Sequence, residues 1–398
     1  MLRTLHIVVK VVKLPYRLLT DANSTASVFV TVGVARGTSG ADAPARNDGD
    51  TYLALGTTKL TLPTRRLRRT GSDLSELGFG GSAIGELWSS IPEGQAAEAI
   101  VRALDAGISY FDTSPWYGRG LSELRLGAVL RGRERDDFVL SSKVGRVLRA
   151  PLPGRQVDRR PWAGGLPFEH RHDYSYDGIM RSFDDSLQRL GLNRIDQLLI
   201  HDLDHWHHDT DARVNAYMAQ LYTSGWRALE ELRASGAVSG IGAGINQPGT
   251  MRQFLEMVDL DFFLVALCYT LLDQTILETE MAQAEARGAG FIIGGVFNSG
   301  ILATGAREGA RYNYAPATAD ALQRVAAIES VCRDNKVSLV SAALQFPLGH
   351  PAVASVIPGA LSAAEVDANV AAWKAPIPPG FWSDLRGAGV LGAAVPTP

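Results

Sequence analysis

The 398-residue chain reads as a (β/α)8 barrel with two long loops at its C-terminal mouth. Two observations predict that class. From Leu77 onward, short apolar runs alternate with amphipathic segments eight times, and strands separated by helices lie parallel and close on themselves at eight units. In addition, Asp112, Lys143 and His201 each stand at or just beyond the C-terminal end of such a run, where barrels of this class carry their chemistry.

The strands are legible at Leu77–Phe79, Ile108–Phe111, Phe138–Leu140, Ile195–Ile200, Val238–Ile241, Phe262–Leu267, Gly290–Ile293 and Val353–Ile357. Between them, Ala96–Leu104 (bounded by Gly94 and Gly107), Leu121–Leu130, Trp226–Arg233 and Ala319–Cys332 read as helices. Gly178–Leu190 sets Ile179, Phe183, Leu187 and Leu190 at helical spacing. Ahead of the first strand, Arg65–Arg68 followed by Thr70-Gly71 reads as a short hairpin. Two connections are long: Arg146 to about Tyr174, rich in Pro, Gly, Arg and aromatics, and Asp202 to about Asn215. Both leave the C-terminal mouth, so both are expected to shape the pocket.

Residues 1–63 are of another kind. A basic, apolar opening is broken by Lys10 and Lys13, which makes it a poor signal-peptide core. Val34–Asp50 is rich in Gly, Ala, Asp and Asn and reads as disordered. The expectation is a disordered or non-native extension, with a transit-like or membrane-touching segment as the alternative, and a barrel over residues 64–398. Asn23-Ser24-Thr25 matches a glycosylation acceptor, but nothing else indicates secretion.

The composition, 46% hydrophobic and 20% charged, is that of an ordinary globular protein. A net charge of −3 suggests neither nucleic acid nor an anionic membrane as a partner. No uncharged apolar run is long enough to span a bilayer. The two cysteines, Cys268 and Cys332, sit in apolar surroundings; this argues against a disulfide scaffold and for a reducing compartment, taken as the cytoplasm. The expected partner is a small molecule, and the expected state a monomer or small homo-oligomer.

The chemistry concentrates between Ile108 and Gly145. The first strand there runs into Asp112 and, after Trp116, Tyr117; the next runs into Lys143. A phenol titrates near ~10 and is a poor acid or base at neutral pH. A neighbouring ammonium favours the phenolate, and a carboxylate keeps that ammonium charged. Asp112, Lys143 and Tyr117 are thus expected to tune one proton-transfer group, with Tyr117 lowered. His205, Trp206, His207 and His208 have no carboxylates or thiols at ligand spacing, so no metal is expected and a solvated loop is the reading. Trp88 and Trp116 follow strand ends, where their faces either stack on a substrate ring or pack beneath a loop.

Six segments in order carry a resemblance: L-G-F-G-G (Leu77–Gly81), F-D-T-S-P-W-Y-G (Phe111–Gly118), S-S-K-V-G (Ser141–Gly145), the run Arg181–His201, G-I-G-A-G-I-N (Gly240–Asn246) and I-P-G-A (Ile357–Ala360). On these the chain from about Thr64 to Trp373 resembles the aldo-keto reductases, (β/α)8 barrels that pass hydride between a nicotinamide cofactor and a carbonyl or alcohol. The resemblance implies a catalytic tetrad of Asp112, Tyr117, Lys143 and His201, with His201 on the substrate oxygen. His172–Ser182, Cys268–Gln274 and Gly294–Leu302 look like the sugar-lactol dehydrogenases within that family.

The same resemblance implies that Asn246 holds the carboxamide and that Tyr269 stacks on the nicotinamide, a core aromatic being the alternative. It implies that Gly294–Leu302 lies along the pyrophosphate, with Gly295, Phe297, Ser299, Gly300 and Leu302 in contact. Asn369 is implied as an adenine contact. From Pro358 to Asn369 there is no Lys or Arg, and Glu365 falls where relatives preferring NADPH carry an arginine. A carboxylate accepts a ribose 2′-OH and repels a phosphate, so NAD is expected over NADP unless Arg307 or Arg311 reaches in. The implied function is oxidation of the anomeric carbon of a small cyclic sugar, or a similar hemiacetal, to a lactone. Alternatives are an NADPH-dependent aldehyde or ketone reductase, a cofactor-binding regulatory subunit with the same barrel, and a phosphate-handling lyase or isomerase.

Overall fold

The structure, a computed structural model, describes residues 61–398. The extension expected over residues 1–63, with its basic apolar opening and Asn23, lies outside the described residues as far as residue 60. Leu62 already belongs to the barrel: it is 5% exposed and its N–H donates to the Gly107 carbonyl at 3.3 Å. No helix among the described residues is long and apolar enough to cross a membrane.

A hairpin comes first, β1 (Thr64–Arg66) against β2 (Asp73–Ser75), antiparallel as expected. Eight strands then form the main sheet: β3 (Phe79–Gly80), β4 (Tyr110–Asp112), β5 (Val139–Val144), and, after a second hairpin of β6 (Arg146–Arg149) and β7 (Glu169–His172), β8 (Gln197–His201). β9 (Gly240–Ile245), β10 (Phe262–Ala266) and β11 (Gly290–Gly294) follow. A third hairpin, β12 (Arg311–Tyr312) and β13 (Ala315–Pro316), precedes β14 (Val353–Ile357). The eight barrel strands are parallel and pair in chain order. The two edges meet through bridges Leu77–Val356 and Gly80–Gly359, and the Gly80 N–H reaches the Pro358 carbonyl at 3.0 Å.

Each strand is buried on both faces, which is why it reads as an apolar run rather than as an alternation. The period of two still decides which side chain goes where. Leu67, Leu74, Tyr110, Leu199, Phe262, Leu264 and Ile292 fill the barrel interior, while Phe111, Leu198, Ile200, Phe263 and Val265 face the helical layer. Continuing that alternation past Tyr110 and Phe111 turns Asp112 inward. Past Ser141 and Ser142 it turns Lys143 inward, and past Leu199 and Ile200 it turns His201 inward.

Helices Glu93–Asp105, Leu121–Leu130, Tyr176–Leu190, Trp226–Ala234 and Ala319–Asp334 match the expected segments to within three residues. The third begins two residues early because the Ser175 hydroxyl caps it, accepting from the Gly178 N–H. Leu121–Leu130 packs so closely on Tyr176–Leu190 that a Cβ at Gly127 would collide with the Leu190 carbonyl. Gly127→Ala is expected to lower stability by about 2 kcal/mol, read as a fall in melting temperature; an unchanged Tm would show that this helix pair has room to give.

Candidate active site

At the carboxyl ends of the strands lies a cavity of about 890 Å³, a volume at the upper end of the range for small-molecule sites. Asp112, Tyr117, Lys143 and His201 meet at its base. Lys143 Nζ lies 2.8 and 2.7 Å from the two Asp112 carboxylate oxygens and 2.8 Å from the Thr113 carbonyl. Both side chains are almost wholly buried. Asp112 also accepts from the Ser141 hydroxyl at 2.6 Å, which lies 2.9 Å from the Tyr110 hydroxyl. On the outer face of β5, Ser142 donates to the buried Glu123, itself paired with Arg189, so the strand is held from both sides.

Tyr117 sits on the tight turn Tyr117–Gly120, whose Gly118, Arg119 and Gly120 all take positive φ. Lys143 Nζ is 4.6 Å from the centre of its ring, and His201 meets that ring edge-on at 5.7 Å. The expected lowering of the phenol is not what the geometry produces. Burial first, then Asp112 and Asp202, push the Tyr117 phenol well above its usual value. The reason is local: Asp112 neutralises Lys143, and burial lowers the ammonium's own pKa despite that carboxylate. The free protein therefore holds Tyr117 as a phenol.

His201 is anchored at Nδ1, with Nε2 beside Asp202. Its Nδ1 lies 2.9 Å from the Ser114 hydroxyl, and its Nε2 is 3.2 Å from Asp202 Oδ2. Ser114 Oγ accepts from the Trp116 N–H, leaving its own proton for Nδ1. The imidazole is then neutral with its proton on Nε2, and burial, with Arg146 and Lys143, holds its pKa well below the usual value.

Asp202, which sequence reasoning passed over, is the hub of the upper site. Arg146 donates to it at 2.8 Å, Asn246 Nδ2 at 2.7 Å, and His207 Nε2 lies 3.4 Å away. Burial would raise its pKa, but His207, Arg146 and the Asn246 amide hold it well below the carboxylate range. His207 Nδ1 is 2.7 Å from Asp204; burial notwithstanding, Asp202 and Asp204 raise its pKa. Asp202, Asp204 and His207 bring ligand-type atoms within 4.8 Å of one another, which corrects the expectation that no carboxylates stand at ligand spacing to these histidines; in this structure the same atoms pair with Arg146 and with each other.

The solvated-loop reading of residues 205–208 is corrected. Asp204 and Thr210 cap helical segments there, Trp206 and His207 line the cavity and His208 is buried, while His205 and Trp206 keep exposed surface. The other long connection contributes Pro161 and Trp162. Trp116 lines the cavity between Arg119, Arg146 and the rings of Trp162 and His170. Trp88 stands at the rim, 50% exposed.

Of the residues implied for the cofactor, Asn246, Gly295, Phe297, Ser299, Gly300 and Glu365 line the same cavity. Three do not. Tyr269 is fully buried with its ring against Phe346 and His350, because Leu267, in the left-handed region just after β10, turns the chain outward. Leu302 is a core side chain whose N–H, like that of Gly300, closes a turn on the Phe297 carbonyl. Asn369 lies outside, 3.4 Å from the Gly359 carbonyl. The residues that remain fit a nicotinamide dinucleotide: an amide beside the acid–base groups, a glycine-rich loop in the middle, a carboxylate beyond.

A parallel eight-stranded barrel with an ion-paired acid–base array at its carboxyl ends defines a barrel enzyme built for proton transfer beside a bound small molecule. The sequence pattern of the Aldo/keto reductase family matches residues 76–389, and the chain belongs to that family of nicotinamide-dependent oxidoreductases. Pyridoxal 4-dehydrogenase of Microbacterium luteolum is 39% identical over 335 residues, covering 82% of this chain and 97% of that protein. D-threo-aldose 1-dehydrogenase of a Pseudomonas species is 36% identical over 340 residues, with 82% and 97% covered. Among solved structures, the holo form of aldo-keto reductase AKR11C1 from Bacillus halodurans superposes with a TM-score of 0.63 at 25% identity, covering 84% of this chain and 98% of that one.

Beside the site, three histidines pack together: His170 on His172 at 5.2 Å and His172 on His208 at 4.5 Å. Burial first, then Arg146, lowers them to about 3, 2 and 4 respectively. His201 and His350 are lowered too, and His207 is raised. A histidine with a lowered folded pKa contributes stability above the unfolded value of ~6.5 and loses it as pH falls below that. The melting temperature is therefore expected to fall steadily from pH 7 to pH 5; a flat profile would show that these rings are protonated at no cost.

Proposed function

We propose that this protein is an NAD-dependent dehydrogenase that oxidises the anomeric carbon of a small cyclic sugar, or a similar hemiacetal, to a lactone. The observation that carries the reading is the pairing of two ends of one cavity. The tetrad and a wall of tryptophans stand at one end, and Glu365, rather than a cation, at the other. The names of the relatives at 39% and 36% identity, both dehydrogenases, support the same direction.

In this reading Tyr117 takes the proton of the reacting hydroxyl, while His201 Nε2 and the Tyr117 oxygen hold the substrate oxygen between them. Lys143, fixed by Asp112 and Thr113, stabilises the phenolate that must form first. A nicotinamide held beside Asn246 and the Gly295–Gly300 loop would supply the hydride acceptor. Trp116 and Trp162 keep water from the reacting carbon and offer faces to a sugar ring.

One observation favours a second reading, carbonyl reduction. The raised Tyr117 hydroxyl stays protonated at neutral pH, and the protonated form is the one carbonyl reduction needs. The two directions separate with pH, because the phenolate serves oxidation and the phenol serves reduction. Oxidation of L-fucose, L-galactose, D-arabinose or pyridoxal, followed at the reduced-nicotinamide band, is expected to rise as pH increases from 7 to 10. Tyr117→Phe is expected to keep cofactor binding and lose at least a thousandfold in kcat. Wild-type turnover in that variant would remove Tyr117 from the mechanism. Silence with every sugar, beside reduction of simple aldehydes, would leave the second reading.

Selection of NAD rests on Glu365. Among the described residues lining the cavity the lysine and arginine side chains are Lys143 and Arg311. Arg311 is committed to the Trp88 ring at 4.8 Å and the Tyr314 carbonyl at 2.8 Å. Glu365 also caps its own helix, accepting from the Leu361 N–H at 2.8 Å, which glutamine can still do. Glu365→Gln is expected to improve kcat/KM with NADP relative to NAD about tenfold by removing repulsion of the 2′-phosphate; an unchanged ratio would show that Glu365 does not face that group.

A further inference from the structure

Three aromatic side chains from three separate connections roof the cavity. Trp88 follows β3, Trp206 follows β8, and Tyr314 stands at the tip of the β12–β13 hairpin. Tyr314 is the keystone, with its ring centre 6.2 Å from that of Trp88 and 6.4 Å from that of Trp206. The hairpin holding it is pinned to the glycine-rich loop: Asn298 Nδ2 donates to Asn313 Oδ1 at 3.1 Å, and the Tyr314 N–H donates to Ser299 Oγ at 2.8 Å.

The backbone there is not what a tyrosine prefers. Asn313 and Tyr314 occupy the left-handed region at φ 48° and 66°. Asparagine tolerates that conformation, but a bulky aromatic side chain adopts it at a cost of order 1 kcal/mol or more. Glycine would relieve it. A strained tyrosine kept at a cavity roof calls for a use of its side chain.

That side chain is 43% exposed, yet burial of its hydroxyl end, with Asp202, raises the phenol to about 12. Tyr314 lines the same cavity as Asp202 and Tyr117, within electrostatic reach of both. Neither the Tyr314 nor the Tyr117 hydroxyl hydrogen-bonds another described residue. Two unpartnered phenols therefore look into one cavity from separate segments of its wall. Tyr117 is taken by the reacting oxygen, and the other is left for a different one.

We propose that Tyr314 is a specificity-determining residue whose hydroxyl hydrogen-bonds a second oxygen of the substrate, so that the site selects polyoxygenated carbonyl compounds and their hemiacetals over simple aldehydes. This rests on the cavity being the carbonyl site of the proposed function, but not on its preferred direction or cofactor. A site that leaves a buried polar group unpaired discriminates against the analogue lacking the matching oxygen.

The test uses the full chain and the reduction of D-glyceraldehyde and propionaldehyde, which differ by two hydroxyls. In wild type, kcat/KM is expected to favour glyceraldehyde. In Tyr314→Phe the ratio of the two kcat/KM values is expected to fall about tenfold, the worth of one hydrogen bond to a buried group. Tyr314→Gly is expected to show the same fall with a melting temperature equal to or above that of wild type, since the left-handed strain is gone. An unchanged ratio in both variants overturns the proposal. So does a lower melting temperature of Tyr314→Gly with an unchanged ratio, which makes Tyr314 a packing residue only. Failure of wild type to oxidise any lactol with NAD would refute the lactone-forming reading separately, since the aldehyde ratio does not depend on it.

Discussion

A lysine ammonium inside a barrel must find acceptors for its protons where there is no water. Lys143 finds three, both oxygens of Asp112 and the Thr113 carbonyl, and the geometry leaves little slack. Breaking such a buried pair by removing one partner costs about 3–5 kcal/mol. It also fixes register. β4 and β5 pair so that Asp112 lies opposite Ser141, two residues short of Lys143, and a slip of β5 by one residue would turn Lys143 into the helical layer, away from Asp112. The ion pair and the strand pairing thus specify each other, and Tyr117 and His201 are placed against a base that cannot shift.

The electrostatics divide into two tiers. The inner tier is close to neutral, so it leaves the Tyr117 phenol raised. The outer tier is centred on Asp202, which gathers Arg146, His201, His207 and Asn246. Arg146 opens one long mouth segment and Asp202 opens the other, so a single ion pair couples the two. What the barrel holds rigid is the acid–base geometry; what the segments vary is the wall around it.

Much of this was legible in the chain. Strands buried on both faces appear as apolar runs, and the alternation beyond them correctly aims Asp112, Lys143 and His201. Strand ends were harder. β5 continues through Ser141, Ser142 and Lys143, and β9 runs G-I-G-A-G-I, where polar residues and glycines mask extended backbone. Tyr269 was misplaced because alternation stops at the strand end, and one left-handed residue, Leu267, redirects the chain beyond it. Asp202, His207 and Tyr314 had no local signature. Their roles arise from partners far away in sequence, such as Arg146 and Ser299, and from a backbone conformation that tyrosine does not advertise.

The distribution of tryptophan has a spectroscopic consequence. Of the seven in the chain, Trp88, Trp116, Trp162 and Trp206 line one cavity. Four indoles therefore stand at the wall that any entering molecule must pass. A reduced nicotinamide absorbs where indole emits, so its arrival quenches that light by energy transfer. The enzyme carries its own optical reporter of occupancy, requiring no label and independent of whether a catalytic cycle ensues.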